Sequence, residues 1–158
     1  MTEANHLNLD RKRLLATSYE HARRAARELD SLVNDEWPAD GTTEIEARVI
    51  ALDGKLVETA VYVRRYLDLN DAGKPATSST STNRDSPHVV SFSETTPEFD
   101  LRLVANKIIH HKLMHAESPD SVKITTITSE CDNGYFTKFD IVDFCNAVAT
   151  ALGNGQKS

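Results

Sequence analysis

The sequence predicts a mainly α-helical protein, a four-helix bundle with a small β-hairpin between the third and fourth helices. Two observations support this fold class. Several long stretches repeat apolar residues every three or four positions, which is the spacing of one helix face. One later stretch, at about 122–139, is rich in threonine and β-branched residues around an Asn-Gly pair. That composition is typical of two strands joined by a tight turn.

Length and charge limit the classes of protein to consider. The chain has 158 residues and a net charge of −6, with 27% charged residues. This length suits one domain over 1–158. The acidic balance argues against a general nucleic-acid coat but leaves room for a local basic patch.

The compartment is predicted from apolar runs and cysteines. No apolar run approaches the ~20 residues that a membrane-spanning helix needs, and the polar N-terminus lacks the apolar core of a signal peptide. Cys131 and Cys145 have no CxxC spacing, so we interpret them as reduced thiols. We therefore expect a cytoplasmic protein that does not bind a membrane.

The first two helices form the clearest pattern. The first runs from about Leu9 to Val33, and turn-forming residues follow it. The second begins at Thr43, where Glu46 completes a capping box. A short polar link between them predicts an antiparallel hairpin. The apolar stripes consist of Leu15, Tyr19, Ala22, Ala26, Leu29 and Val33 in the first helix, and Ile45, Val49, Leu52, Leu56, Ala60, Val63 and Leu67 in the second.

The middle of the chain changes character. Residues 70–87 are rich in serine and threonine with almost nothing to bury, which predicts a mobile loop. A short strand is expected at 88–94, and Thr96-Pro97-Glu98 has the residues of a helix start. This third helix is expected to continue to about His115.

The C-terminal part contains the predicted hairpin and the fourth helix. Cys131-Asp132-Asn133-Gly134 supplies the turn, and residues 135–139 form the returning strand. Asp140 is placed to cap the last helix, and Gly153 to end it. One face of that helix carries Ile141, Cys145, Val148 and Leu152.

The third helix carries the main candidate site. Asn106 and His110 are four positions apart, and Arg102 is one further turn back, so the three form one polar line on a helix. Ile109 and Leu113 lie beside this line, which predicts a second contact surface and a homodimer that uses the third helix. A purely structural role for the asparagine and histidine, as ties to a neighbouring loop or to the hairpin, is the alternative.

This arrangement resembles the HEPN superfamily of all-α nucleotide-binding and ribonuclease domains. The resemblance covers the order of helices and the segment DLRLVANKIIH. In that family an arginine is followed, after four to six residues, by a histidine late in the bundle. Seven residues separate Arg102 from His110 in this chain, so the spacing departs from the family pattern.

The resemblance implies metal-independent RNA cleavage at a dimer cleft, in defence or toxin–antitoxin systems, with no cofactor. His110 would transfer the proton, since the reference pKa of histidine, about 6.5, suits general acid–base catalysis. Arg102 would hold the phosphate with its planar fork, and Asn106 would orient the imidazole or donate to the phosphate. The second acid–base group would be His110 of another copy.

Two further patterns are weighed for binding. His111 and His115 form HxxxH, but nothing specifies the further ligands that a metal needs, so we expect no metal; histidines near the negative end of a helix are the alternative. A possible basic strip for RNA phosphates consists of Arg23, Arg27, Arg64 and Arg65. Acidic residues in the first helix favour intrahelical pairs instead.

The competing function is that of a non-enzymatic interaction protein, such as an antitoxin, an adaptor or an inhibitor. The acidic balance and the Ser/Thr-rich segment suit a chain that binds a protein partner. The exposed edge of the hairpin could then accept a strand from that partner.

Overall fold

The computed structural model describes residues 9–37, 43–70, 88–89, 101–118, 123–131 and 136–155. The prediction of a mainly helical chain is confirmed. The finer architecture differs, because the helices accompany a four-stranded sheet and not a single hairpin. The elements are α1 (Arg11–Asn34), α2 (Thr43–Asn70), β1 (His88–Val89), α3 (Leu101–Ile109), β2 (His111–Glu117), β3 (Thr126–Cys131), β4 (Phe136–Asp140) and α4 (Ile141–Gly155).

The first two helices form the predicted antiparallel pair. Asp10 caps α1, since its side chain accepts a hydrogen bond from the Arg13 backbone at 2.9 Å. Each end of the pair carries a bond between helices. Arg11 at the start of α1 donates to the Leu69 carbonyl at 2.6 Å, and Arg48 near the start of α2 donates to the Glu36 carbonyl at 2.5 Å.

The apolar stripes of these helices face each other. Ala22 and Leu29 of α1 and Leu56 and Val63 of α2 are completely buried. Gly54 falls on the opposite, exposed side of α2, and a methyl group there would meet no atom within 4 Å. The long helix therefore contains this glycine without any packing reason for it.

The third helix is much shorter than expected. The prediction that it reaches His115 is wrong, because α3 ends at Ile109 and residues 111–117 form β2. Those residues pair with β3, from His111 opposite Cys131 to Glu117 opposite Thr126. Apolar residues at this spacing suit a short helix or a strand, so the neighbouring strand decides between them.

The sheet has the order β1-β4-β3-β2. β3 pairs antiparallel with both β2 and β4, while β1 runs parallel to β4. β3 and β4 are the two arms of the predicted hairpin, although β3 begins only at Thr126. The hairpin is therefore the centre of a larger sheet, and β2 is one of its edges.

One face of the sheet packs on the helices, and the other face carries exposed side chains among the described residues. Ile127 and Phe139 on the inner face are buried, and the Phe139 ring lies 5.7 Å from the Phe144 ring of α4. On the outer face, Leu113 and Phe136 are exposed. The hydrophobic core thus lies between the helices and one side of the sheet.

The fourth helix begins as predicted and ends later. The Asp143 backbone donates to Asp140 Oδ1 at 3.0 Å, which confirms Asp140 as the cap. The prediction that Gly153 ends α4 is wrong, since the helix continues to Gly155. Gly153 is exposed and a side chain there would meet no atom within 4 Å, so nothing in its surroundings requires a turn.

Several predicted features lie outside the described residues. These are the mobile loop from residue 71 onward, the strand beyond Val89, the helix start at 96–98 and the Asn133-Gly134 turn. Among the helices that the structure describes, none combines the length and the apolar character needed to cross a membrane.

Candidate functional site

The predicted polar face of α3 packs against α2. Arg64 Nη1 donates to Asn106 Oδ1 at 2.7 Å. One turn away, Arg102 Nη1 binds Asp68 Oδ1, and Arg64 Nε lies 3.9 Å from Asp68 Oδ2. Arg64, Asp68, Arg102 and Asn106 together are called the polar cluster here. The structure thus brings two of the three predicted catalytic residues together and adds two residues from α2.

The polar cluster has two guanidinium groups and one carboxylate, so its formal charge is +1. The side chains of Arg64, Asp68 and Arg102 are 41%, 48% and 27% exposed. Ion pairs this exposed typically contribute about 0–1 kcal/mol, because water screens them. The cluster therefore orients α3 on α2 more than it stabilises the fold, and an incoming anion would compete with Asp68 for the guanidinium groups.

The third predicted catalytic residue, His110, occupies the turn between α3 and β2. Its backbone N–H donates to the Asn106 carbonyl at 3.2 Å, which closes the last helical turn. Its side chain is exposed. The imidazole of His110 is therefore exposed to solvent. It lies at the C-terminal end of α3, one helical turn after Asn106.

A second polar arrangement, which the sequence reasoning missed, surrounds the neighbouring histidine. His111 Nε2 lies 2.6 Å from Asp53 Oδ1 on α2, and Nδ1 lies 3.1 Å from Ser129 Oγ on β3. The His111 side chain is only 7% exposed, and Ser129 is buried. Its partners are 58 and 18 positions away along the chain, so no local motif marks this site.

The three residue types are those of a hydrolase triad, but the geometry is reversed. In such a triad the serine hydroxyl faces the substrate and the carboxylate lies behind the imidazole. Here Ser129 is buried and the Asp53 side chain is 45% exposed. Because both imidazole nitrogens have partners, neither is available to a substrate. His111 therefore ties α2 to the sheet, and this tie is structural.

An open groove of about 340 Å³ lies beside the tie, between α2 and the corner formed by α3 and β2. Its walls are mostly apolar, and Ile50 on its α2 side is 66% exposed. Asp53, His111 and Lys112 are its polar lining residues. The apolar lining includes Val49, Ile50, Val57, Ile109 and Met114.

The HxxxH pair does not converge on one point. A β-bulge between His111 and Leu113 shifts the alternation of β2, so His111 lies on the inner side and His115 is exposed. His115 Nε2 lies 3.8 Å from Glu130. Within the described residues, no group of three or more histidine, cysteine or acidic side chains could hold a metal ion.

The predicted dimer surface also changes with β2. Ile109 and Leu113 were expected on one helix face, but Leu113 belongs to the strand and is exposed on the outer face of the sheet. Ile109 lines the groove instead. The two residues therefore lie on different sides of β2, and the prediction of a shared helix surface is wrong.

The arginines of the predicted basic strip differ in their contacts. Arg64 belongs to the polar cluster, whereas Arg23 lies 3.7 Å from Glu20 within α1. Arg27 and Arg65 are exposed. On the same helix pair, Lys55 binds Glu28 and Glu58, so acidic side chains also lie on the surface of the α1–α2 pair.

The two cysteines are free thiols. Burial, together with the nearby carboxylates of Asp30 and Asp140, raises the pKa of Cys145 to about 12. The thiol is therefore protonated at neutral pH and a poor nucleophile. Cys131 Sγ lies 3.6 Å from the Lys107 carbonyl and belongs to the contact between β3 and α3.

The fold and the site define a mainly helical protein with a small sheet, whose described strands end at β2, and a groove beside that strand. Comparison with protein-family models, with curated proteins and with solved structures gave no match.

Proposed function

We propose that this chain is a non-enzymatic interaction module that binds a protein partner through the edge strand β2. The observation that carries the proposal is the position of β2. This seven-residue strand is the last in the order β1-β4-β3-β2, and the apolar groove lies directly beside it. Adding a strand from a partner to such an edge is a common mode of peptide recognition.

The backbone of β2 supports this mode of binding. The Glu117 carbonyl accepts a hydrogen bond from the Thr125 backbone at 2.9 Å, so the backbone groups of Glu117 face β3. In an antiparallel strand the backbone groups of successive residues point to opposite sides. The N–H and C=O groups of Ala116 and Met114 therefore point away from β3, toward the open edge.

The groove would supply specificity. Side chains of an added strand alternate between the two faces of the sheet. Those on the inner face would extend over the apolar groove, whose wall includes Ile50 and Met114. Burying apolar area there contributes about 25 cal/mol per Å².

The polar residues support binding better than catalysis. Arg102 and Asn106 bind side chains of α2, and both nitrogens of His111 are occupied. A general acid–base mechanism needs a proton-transfer group that the substrate can reach. Of Arg102, Asn106, His110 and His111, only His110 is exposed to solvent.

The test uses proline at the open edge. Ala116→Pro removes an N–H that points away from β3, so the sheet can keep its own hydrogen bonds. Partners are captured from the native cell with wild type, Ala116→Pro and the exposed α4 control Thr150→Glu, and β2 amide exchange is measured in each complex. The proposal expects one stoichiometric partner that protects the Met114 and Ala116 amides and is lost only with Ala116→Pro. A partner retained by Ala116→Pro would contradict it.

A second candidate is the metal-independent ribonuclease that the HEPN resemblance implies. One observation favours it: exposed His110 follows Asn106 by one helical turn, at the end of a helix that also carries Arg102. The cluster charge of +1 suits a phosphate. His110 would act as base toward the ribose 2′-hydroxyl or as acid toward the leaving oxygen.

The ribonuclease candidate is tested on mixed RNAs with and without EDTA. His110→Ala should reduce cleavage by about 10²–10⁴-fold, which is the typical contribution of a general acid–base residue. His115→Ala is the matched control, because it removes another exposed histidine on the next element. EDTA should leave cleavage unchanged. Intact RNA after incubation with wild type would eliminate this candidate and leave the interaction proposal standing.

A further inference from the structure

We infer that β2 is a detachable strand and that His111 is the latch that holds it on the sheet. In the open state, residues 111–117 leave β3, while β3, β4 and α4 keep their own pairing and packing. Three features of β2 support this inference: its shallow burial, its residue composition and the position of the bonds that His111 makes.

β2 is less deeply buried than the two strands that follow it. None of its residues is buried as a whole, and Met114 and Ala116 on its inner face are half-buried at the margin of the core. In contrast, β3 and β4 contribute the buried Ile127 and Phe139. Segments with few buried apolar contacts open at a lower free-energy cost than the whole domain. β2 can therefore leave the sheet without unfolding the core.

The composition of β2 does not favour a strand. Its sequence, HKLMHAE, contains Lys, Leu, Met, Ala and Glu, which are strong helix formers. It contains no β-branched residue and no Tyr, Phe or Trp, the residues that are enriched in strands. A β-bulge between His111 and Leu113 also interrupts the pairing with β3. Because local preference contributes little to the closed state, contacts with other elements must hold β2 in place.

His111 bonds β2 to two elements that stay folded in the open state. Its side chain is only 7% exposed. Nε2 lies 2.6 Å from Asp53 Oδ1 on α2, and Nδ1 lies 3.1 Å from Ser129 Oγ on β3. Both bonds must break before β2 can leave, whereas an exposed outer-face pair such as His115 with Glu130, at 3.8 Å, contributes little. The His111 tie is therefore the side-chain contact that controls the opening.

The latch controls the surface that the proposed function uses. His111, Lys112 and Met114 line the groove, so opening removes this wall together with the backbone of the edge. An open molecule therefore lacks the proposed binding surface, and the apparent dissociation constant is the intrinsic constant divided by the closed fraction. This regulatory role rests on the proposed function, whereas the latch itself does not.

Native-state amide exchange tests the latch without a partner. The backbone groups of Leu113, His115 and Glu117 point toward β3, as the bond between Glu117 and Thr125 indicates, so their amides report the opening. In wild type these reporter amides should exchange roughly tenfold or more faster than the amides of α4, each relative to its unprotected rate. Asp53→Ala should raise reporter exchange by about tenfold, because it removes a hydrogen bond to a carboxylate from the latch.

Two control variants separate the opening of β2 from unfolding of the whole domain. Val148 is completely buried on α4, so Val148→Ala destabilises the closed and open states alike. It should raise the exchange of α4 amides by roughly tenfold or more and leave the reporter amides within about twofold of wild type. Asp53→Asn keeps an oxygen that accepts from His111 Nε2, so it should raise reporter exchange less than Asp53→Ala does.

A disulfide should lock the strand. His115 and Thr128 lie opposite each other on β2 and β3, and opposite residues of antiparallel strands have Cα atoms about 4.5–5.5 Å apart, a distance that a disulfide spans. The double variant His115→Cys with Thr128→Cys should therefore form this bond under mild oxidation. Its oxidised form should slow the exchange of the Leu113 and Glu117 amides by about tenfold or more relative to its own reduced form.

The outcomes separate this inference from the proposed function. Reporter amides that exchange as slowly as α4 amides in wild type, that accelerate with Val148→Ala, or that ignore both Asp53→Ala and the disulfide would overturn the latch. Partner loss with Ala116→Pro but no separate opening of β2 would leave the proposed function standing without the latch. Opening of β2 in a protein that captures no partner would leave the latch standing without the proposed function.

Discussion

The α1–α2 pair and the part from α3 to α4 use different kinds of contact. In the α1–α2 pair, each helix satisfies its own backbone, and the stripes of the two helices bury each other. From α3 to α4, β2 obtains its backbone partners from β3, and its buried histidine depends on α2 as well. The structure of the first region can therefore be predicted from the apolar spacing within each helix. The second region forms only when segments that are distant in sequence come into contact.

This difference bears on binding. Helices leave no unpaired backbone along their length, but every sheet has two edges. The α1–α2 pair offers side chains alone, including one wall of the apolar groove, while the sheet part offers the backbone of β2 and the other wall. The proposed binding surface therefore combines a strand that is held by contacts distant in sequence with one helix of the α1–α2 pair.

The largest effect is expected in the sheet core. Phe139→Ala should lower the free energy of unfolding by about 3–5 kcal/mol, because it leaves a cavity where the ring packs on Phe144. Phe136→Ala on the same strand is the matched control, since Phe136 faces outward and is 37% exposed. Denaturant unfolding measures both. Equal losses would mean that the outer face is covered in solution.

The next effect tests the link between the two regions. His111→Ala removes both hydrogen bonds of the tie and leaves Ser129 buried without its partner. We expect the free energy of unfolding to fall by about 1–3 kcal/mol. His115→Ala should change it by only about 0.5 kcal/mol, as exposed substitutions usually do. If both variants cost the same, the tie contributes nothing beyond packing.

A smaller, stabilising effect is expected in α2. Gly54→Ala should raise the free energy of unfolding by about 1 kcal/mol, because alanine fits the helix better and its methyl group meets open space. Gly153→Ala, near the end of α4, is the comparison and should gain less. Thermal and denaturant unfolding report both. A loss of stability at Gly54 would show that this face of α2 is occupied.

The smallest effect concerns alkaline pH. Hydrogen bonds to Glu28 and then Glu58 raise the pKa of Lys55 above 10.5, against a lowering by burial. Folding favours the charged form of Lys55, so this ion pair adds to the free energy of unfolding. That addition is complete below pH 10.5 and is lost as the pH rises through the folded-state pKa. Lys55→Met should therefore cost about 0–1 kcal/mol at neutral pH. The loss of stability in Lys55→Met should become smaller above pH 10.5. A loss that does not change with pH would mean that the lysine stabilises the fold through packing and not through its charge.

The candidate site shows where prediction from the sequence stops. Arg102 and Asn106 were found because they are one helical turn apart, and both do lie on α3. Their partners Arg64 and Asp68 are more than thirty positions away, so no spacing rule connects them. The tie of His111 to Asp53 and Ser129 was missed for the same reason, and HxxxH suggested a shared helix face where the strand gives two opposite ones.

The sequence by itself determined the mainly helical character, the α1–α2 pair, the β3–β4 hairpin and the cap at Asp140, because each depends on residues close together in the chain. Only the tertiary structure decided that residues 111–117 leave the helix and join the sheet. The stretch from Leu101 to His115 has apolar residues that suit a helix throughout. Backbone hydrogen bonds to β3 and the burial of His111 against Asp53 exist only after distant segments have met, and those contacts select the strand.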